Sequence, residues 1–246
     1  MTRRFGLLLA SAALFVPLIL LCDGPGLARQ IMLALLTGAF LLMAARIAAI
    51  DRTAILLAIV VATLGEVVLS VVWGLYSYRF TTLLPLYVPL GHGLFYTLAT
   101  GSARQRWMRQ HATEISRGVL IGGSAIAAGS FLLFHDQWGL LWWIAAALVI
   151  ARSRSRLLLS ICCTYTMLLE WAGTRIGNWR WAPSVPLIGL HSANPPSGVG
   201  ILYVLLDLIT VALCTWMLRR RARLSFSNRA FAESRGGFRR GMMPRR

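Results

Sequence analysis

Read from its N-terminus, the chain alternates long apolar runs with short polar connectors. A bilayer core of about 30 Å needs roughly 20 apolar residues per crossing helix. Eight runs are candidates: 5–22, 30–48, 54–73, 81–101, 117–134, 137–151, 155–173 and 198–218. The sixth is short, and its Trp142 and Trp143 suit an interface or a tilted helix. The pattern predicts an all-α polytopic membrane helical bundle of about eight transmembrane helices, occupying residues 1–218. The first run, MTRRFGLLLASAALFVPLILLCDG, has the charged start and apolar core of a signal peptide, but no A-x-A site follows and Leu21 precedes Cys22 where lipoprotein processing needs a small residue. It is expected to stay as the first helix.

Charge orients this set. The chain has 25 basic residues, all arginine, against eight acidic ones, and 57% of its residues are hydrophobic. Basic connectors tend to remain cytoplasmic. With eight helices and the N-terminus inside, 21 arginines fall inside and four outside, namely Arg29, Arg79, Arg175 and Arg180. The expected location is a bacterial inner membrane with both termini cytoplasmic. The tail 219–246 carries ten arginines and one glutamate; it is expected to be disordered and drawn to anionic membrane lipids rather than to nucleic acid. Cys22, Cys162, Cys163 and Cys214 show no metal-ligand spacing and read as apolar fillers.

The two halves, 1–101 and 117–218, share three features in one order. Each has a glutamate toward the end of an apolar run, Glu66 and Glu170. An aromatic pair spaced by two follows ten or nine residues later, as Tyr76 and Tyr78 or Trp179 and Trp181. Last comes P-x-G-x-G-x-x-Y, ending at Tyr96 and Tyr203. The glutamates are 104 residues apart and the last motif 107. Four helices per half predicts two parallel repeats related by an axis along the bilayer normal, a class of fold whose sites lie between repeats. A spacing of two puts each aromatic pair on one face of an extended segment. Extended backbone at membrane depth needs protein or a cavity around it, so the proline-rich stretch 178–197 is expected to re-enter or cap the bundle before the last helix.

An ionised carboxylate at membrane depth costs several kcal/mol unless paired, protonated or wetted. Glu66, Glu170 and Asp207 are therefore candidate site residues, with His92 between Gly91 and Gly93, where the absence of side chains lets a helix or a ligand come close. Candidate substrate-binding residues are Tyr76, Tyr78, Trp171, Trp179, Trp181, Asn194, Tyr96 and Tyr203. Structural readings stand beside these. Glu170 is placed to snorkel beside Arg175, His92 to be a helix contact, Asp207 to bond a neighbouring helix, and the aromatics to anchor an interface.

The segment E-W-A-G-T-R-I-G-N-W-R-W-A-P, with Val185 and Pro186 downstream, resembles the E-x-x-G-T-x-x-G segment and aromatic pair of membrane carotenoid-biosynthesis proteins of the carotenoid hydratase type. Glu170, Gly173, Thr174, Gly177 and Trp181 carry the match. A looser analogy is to small membrane terpene cyclases, in which Glu66 and Asp207 would be the acids. Both resemblances imply an acid that protonates an isoprenoid double bond, aromatic faces that stabilise the cation, and capture by water or an alkene, with no soluble cofactor and no metal. A proton-coupled transporter using the same acids, and a non-enzymatic membrane scaffold or assembly protein, remain alternatives.

Overall fold

The computed structural model describes residues 2–206 and 208–217. Its helices are α1 (Arg3–Leu21), α2 (Leu27–Ala48), α3 (Arg52–Glu66), α4 (Val88–Ala103), α5 (Arg106–Gln110), α6 (Ala112–Phe134), α7 (Gln137–Arg152), α8 (Arg156–Ile176) and α9 (Gly200–Met217). A π-helical segment, Val67–Val72, extends α3, and two three-residue strands, β1 (Tyr76–Tyr78) and β2 (Trp179–Trp181), complete the described elements. The protein is thus an all-α bundle. Six of its helices are long and apolar enough to cross a membrane: α1, α2, α3 with its π-helical extension, α6, α8 and α9. Their outward faces carry large apolar side chains, such as Leu14 at 77% exposed and Leu133 at 74%, which suits lipid rather than water.

Local chemistry sets several helix ends. Asp51 caps α3 by accepting from the Thr53 N–H at 2.6 Å, and Asp136 caps α7 by accepting from the Gly139 N–H at 3.0 Å. Gly177, at φ +85°, closes α8 in the left-handed conformation that favours glycine.

Two expected boundaries differ. A run over 81–101 suggested one long helix, but α4 begins at Val88, because Pro89 sits in its first turn and the apolar residues before it form turns. Hydropathy does not distinguish an apolar turn from a helix. The fifth run was expected from residue 117, but α6 begins at Ala112, preceded by the short helix α5.

Much of the packing follows the two halves of the sequence, with α4 and α8 joined across them through Ala99, Leu157 and Ile161. One core joins α1 to α4 through Phe5, Leu8, Leu41, Ala44, Ile55 and Leu94. A second joins α6 to α9 through Ala127, Trp143, Ile150, Leu159, Cys163 and Val204. Both depend on glycine where helices meet. A Cβ on Gly93 would meet Ile59 at 2.8 Å, and one on Gly200 would meet the Cys163 sulfur at 2.9 Å. The third cluster draws on both halves, combining Ile19, Leu20, Tyr76, Trp138, Trp181 and Val199 at the ribbon end of the bundle.

That ribbon is β1 and β2 paired antiparallel, with Tyr76 opposite Trp181, Ser77 opposite Arg180 and Tyr78 opposite Trp179. Exchanging the strands maps the register onto itself. The segment after β2 folds back over it: Val185 is buried, and the Trp73 indole N–H donates to the Pro186 carbonyl at 3.0 Å.

Candidate active site

Each half supplies one corner of the site, built from a helix end, a glycine turn and a strand. In the first, α3 widens into π-helical turns directly after Glu66, a local unwinding often found at functional positions. Gly74, at φ +72°, then reverses the chain into β1. The Tyr76 and Tyr78 hydroxyls both donate to Glu66 Oε2, the latter at 2.7 Å. Glu66 Oε1 lies 3.1 Å from His92 Nε2 on α4. Burial, and then the charge of Glu66, push both phenols well above the ordinary tyrosine range, so they stay protonated and donate.

In the second corner, Gly177 reverses the chain from α8 into β2. The indole N–H groups of Trp179 and Trp181 both donate to Glu170 Oε2, at 2.8 Å and 3.0 Å. Gly173 makes room for this, since any Cβ there would collide with the Trp179 ring. Among the described residues, Glu170 Oε1 has no hydrogen-bond donor and Glu170 has no cationic partner. The two corners are alike in plan and differ in their donors.

Both carboxyls open on one cavity of about 400 Å³, a size typical of small-molecule sites. Glu66, Tyr76, Tyr78, His92, Glu170 and Trp179 line its ribbon end. The remainder is apolar, running between α1, α4 and α8 past Ala12, Leu94 and Leu98. Tyr165 lies at this far end, its hydroxyl bonded to that of Ser102 at 2.8 Å. Gly91 faces the cavity with nothing within 4 Å of where a Cβ would stand. Of the two glycines flanking His92, Gly93 therefore admits a neighbouring helix and Gly91 leaves open space.

Tyr203 also lines the cavity, its ring 5.4 Å from His92 and 4.5 Å from Phe95. Trp181 does not line the cavity but reaches Glu170 from the ribbon, its ring tilted against that of Tyr76 with centroids 4.5 Å apart. Three further expected pocket residues lie elsewhere. Trp171 is 61% exposed and stands on the outer face of α8, with Arg175 5.9 Å from its ring. Tyr96 is buried in the core of the first half. Asn194 accepts from the Trp181 backbone N–H at 3.0 Å and lines a small outer recess with Arg79 and Arg180. Spacing places a residue on a helix or loop but leaves open which face meets the cavity. Asp207 and the tail 219–246 lie outside the described residues.

Two aspartates that sequence reasoning left in connectors hold the corners in place. Asp23 follows the end of α1 by two residues, as Asp136 follows the end of α6. Asp23 Oδ2 accepts from the Tyr87 hydroxyl at 2.9 Å and the Asn178 amide at 3.1 Å. Asp136, fully buried, accepts from the backbone N–H groups of Ala193 and Ser197 at 2.9 and 2.8 Å, and from the Ser130 hydroxyl at 3.1 Å. Each ties the first connector of its half to the segment leading into that half's last helix. The matching sequence signal was an aspartate in the first connector of each half, together with the glycine two residues ahead of each aromatic pair.

Comparison of the chain with protein-family models, with curated proteins and with solved structures gives no match.

Proposed function

We propose that this protein is an integral membrane enzyme that starts double-bond chemistry on an isoprenoid-like lipid by donating a proton from a buried carboxylic acid. The observation that carries the reading is a single apolar cavity onto which two carboxyls open, each held by its own aromatic pair. In the same reading eight helices cross a bacterial inner membrane as two parallel four-helix repeats, with both termini cytoplasmic. The self-matching register of the ribbon supports the two-fold relation. So does the packing of Gly93 on Ile59 and of Gly200 on Cys163: the glycines are 107 residues apart, like the motif that holds them, and Ile59 and Cys163 are 104 apart, like the glutamates.

Hydrogen-bond chemistry divides the labour. Glu66 faces two phenols and an imidazole, donors that suit an anion. Glu170 meets only two neutral indoles on one oxygen and leaves the other for a ligand. Glu170 is therefore assigned as the acid. Its proton adds to one alkene carbon, the π electrons form the new C–H bond, and the neighbouring carbon becomes cationic beside the faces of Trp179, Tyr203 and Phe95. The cation then has three outcomes. It loses an adjacent proton to the Glu66–His92 pair, leaving a shifted double bond; it takes up water, whose proton passes to that pair; or it is attacked by an internal alkene, which closes a ring before the proton leaves. Carotenoid-type hydration is the second of these.

The test is incubation of the purified protein with polyenes such as lycopene and squalene, reading products by mass. The expected result is a gain of one water or an isomer of unchanged mass, abolished by Glu170→Gln and strongly reduced by Glu66→Gln. A product unaffected by both variants overturns the reading. Proton-driven uptake into proteoliposomes with no product would instead mean that the two carboxyls serve transport.

A further inference from the structure

The wall of the cavity is not continuous. α1 presents Leu9, Ala12, Ala13 and Val16 to it, and α8 presents Tyr165, Leu168, Leu169 and Ala172. Each set contains the i, i+3, i+4, i+7 run of one helix face, with Phe15, Pro17, Ile19 and Leu20 widening the α1 wall, so both helices border the cavity. Two of these residues also reach the outer surface: Ala13 is exposed, and Leu168 is 62% exposed. Ala13 is ten residues from the start of α1 and Leu168 twelve from the start of α8. At a rise of about 1.5 Å per residue both lie roughly halfway across a bilayer. The opening therefore faces hydrocarbon and not water.

The helix on one side of this slot is built to give way. Pro17 lies inside α1, and lacking an N–H it cannot bond the Ala13 carbonyl one turn earlier. α1 is secured to α2, where Phe15, itself on the cavity wall, stacks on Phe40 with ring centroids 4.3 Å apart. α1 and α8 touch at a few positions and otherwise leave apolar space between them, with the carboxyls at one end.

We infer that the cavity is loaded sideways from the bilayer, through a slot between α1 and α8 at Ala13 and Leu168. Its occupant is a membrane lipid with a long hydrocarbon chain, whose reactive end lies against Glu170 and Glu66 and whose remainder trails through the slot. A water-soluble ligand has no route through this opening. The inference deepens the proposed function and rests on it for the position of the reactive end.

The full chain in phosphatidylethanolamine and phosphatidylglycerol vesicles is irradiated with a diazirine analogue of geranylgeraniol, and the modified peptides are mapped by mass spectrometry. Label is expected on residues 9–20 and 165–172, falling about tenfold in Ala13→Trp and, separately, in Leu168→Trp. Val60→Trp, on an exposed face of α3, leaves it unchanged. Labelling spread evenly over lipid-facing helices, or unaltered by both slot variants when they retain wild-type melting behaviour, overturns the inference. Glu170→Gln is expected to keep the label. Slot-dependent labelling by a protein that converts no polyene would refute the proposed chemistry while leaving the route intact, whereas conversion without slot-dependent labelling would do the reverse.

Discussion

The Glu66 and Glu170 corners share a backbone plan and differ in the chemistry of every donor. A phenol can give and accept protons, and imidazole can do so near neutral pH. An indole N–H only donates a hydrogen bond. Glu66 thus belongs to an exchangeable network of Tyr76, Tyr78 and His92, whereas Glu170 is oriented by groups that cannot relay its proton. Any proton Glu170 loses has to leave by the cavity. His92 is matched in the second half by Val199, which is fully buried in the apolar cluster beneath the ribbon. The two backbones are alike in plan, although only the first carries a π-helical segment, and their donors are unequal.

The largest expected effect is at Glu170. Glu170→Gln keeps an acceptor for both indoles and removes the proton, so polyene conversion should fall by about 10²- to 10⁴-fold with little change in thermal stability. His92→Val copies the second corner onto the first and should slow conversion less, by about 10²-fold; a loss equal to that of Glu170→Gln would make His92 the donor and reverse the assignment. Below these come the two aspartates, compared by thermal melting. Asp136→Asn turns into a donor one of the two oxygens that together serve three backbone N–H groups and one hydroxyl, and should cost about 2–4 kcal/mol. Asp23→Asn, whose partners are mostly side chains able to turn elsewhere, should cost about 1–2 kcal/mol. The smallest change is Tyr78→Phe, which leaves Glu66 bonded to Tyr76 and His92. It should lower stability by about 1 kcal/mol, visible as a small shift in melting temperature.

Much of this arrangement was legible before any coordinates. A glutamate inside an apolar run has few solvated alternatives, so Glu66 and Glu170 stood out, and an aromatic pair at a spacing of two could not share one helix face. Strand pairing was not legible. Three residues per strand leave almost no pattern, and the partner of Tyr76 is Trp181, in the other half of the chain. Rotation about a helix axis was equally hidden: Trp171 and Glu170 are neighbours in sequence, yet one faces outward and the other the cavity. Asp23 and Asp136 passed as ordinary connector residues because a short turn hides whether its carboxylate reaches water or a distant backbone N–H.

The ribbon has a consequence for how the protein is made. Two three-residue strands are too short to persist alone, and their partners are separated by about a hundred residues of chain. During synthesis the first four helices emerge well before Trp179 and Trp181 exist, leaving Tyr76 and Tyr78 with an unpaired edge. The cavity therefore receives the indole donors of its second carboxyl and its roof in a single late event. A nascent chain stopped before residue 179 already holds both Glu66 and Glu170 but neither Trp179 nor Trp181, so closure of the cavity itself reports that the ribbon has been completed.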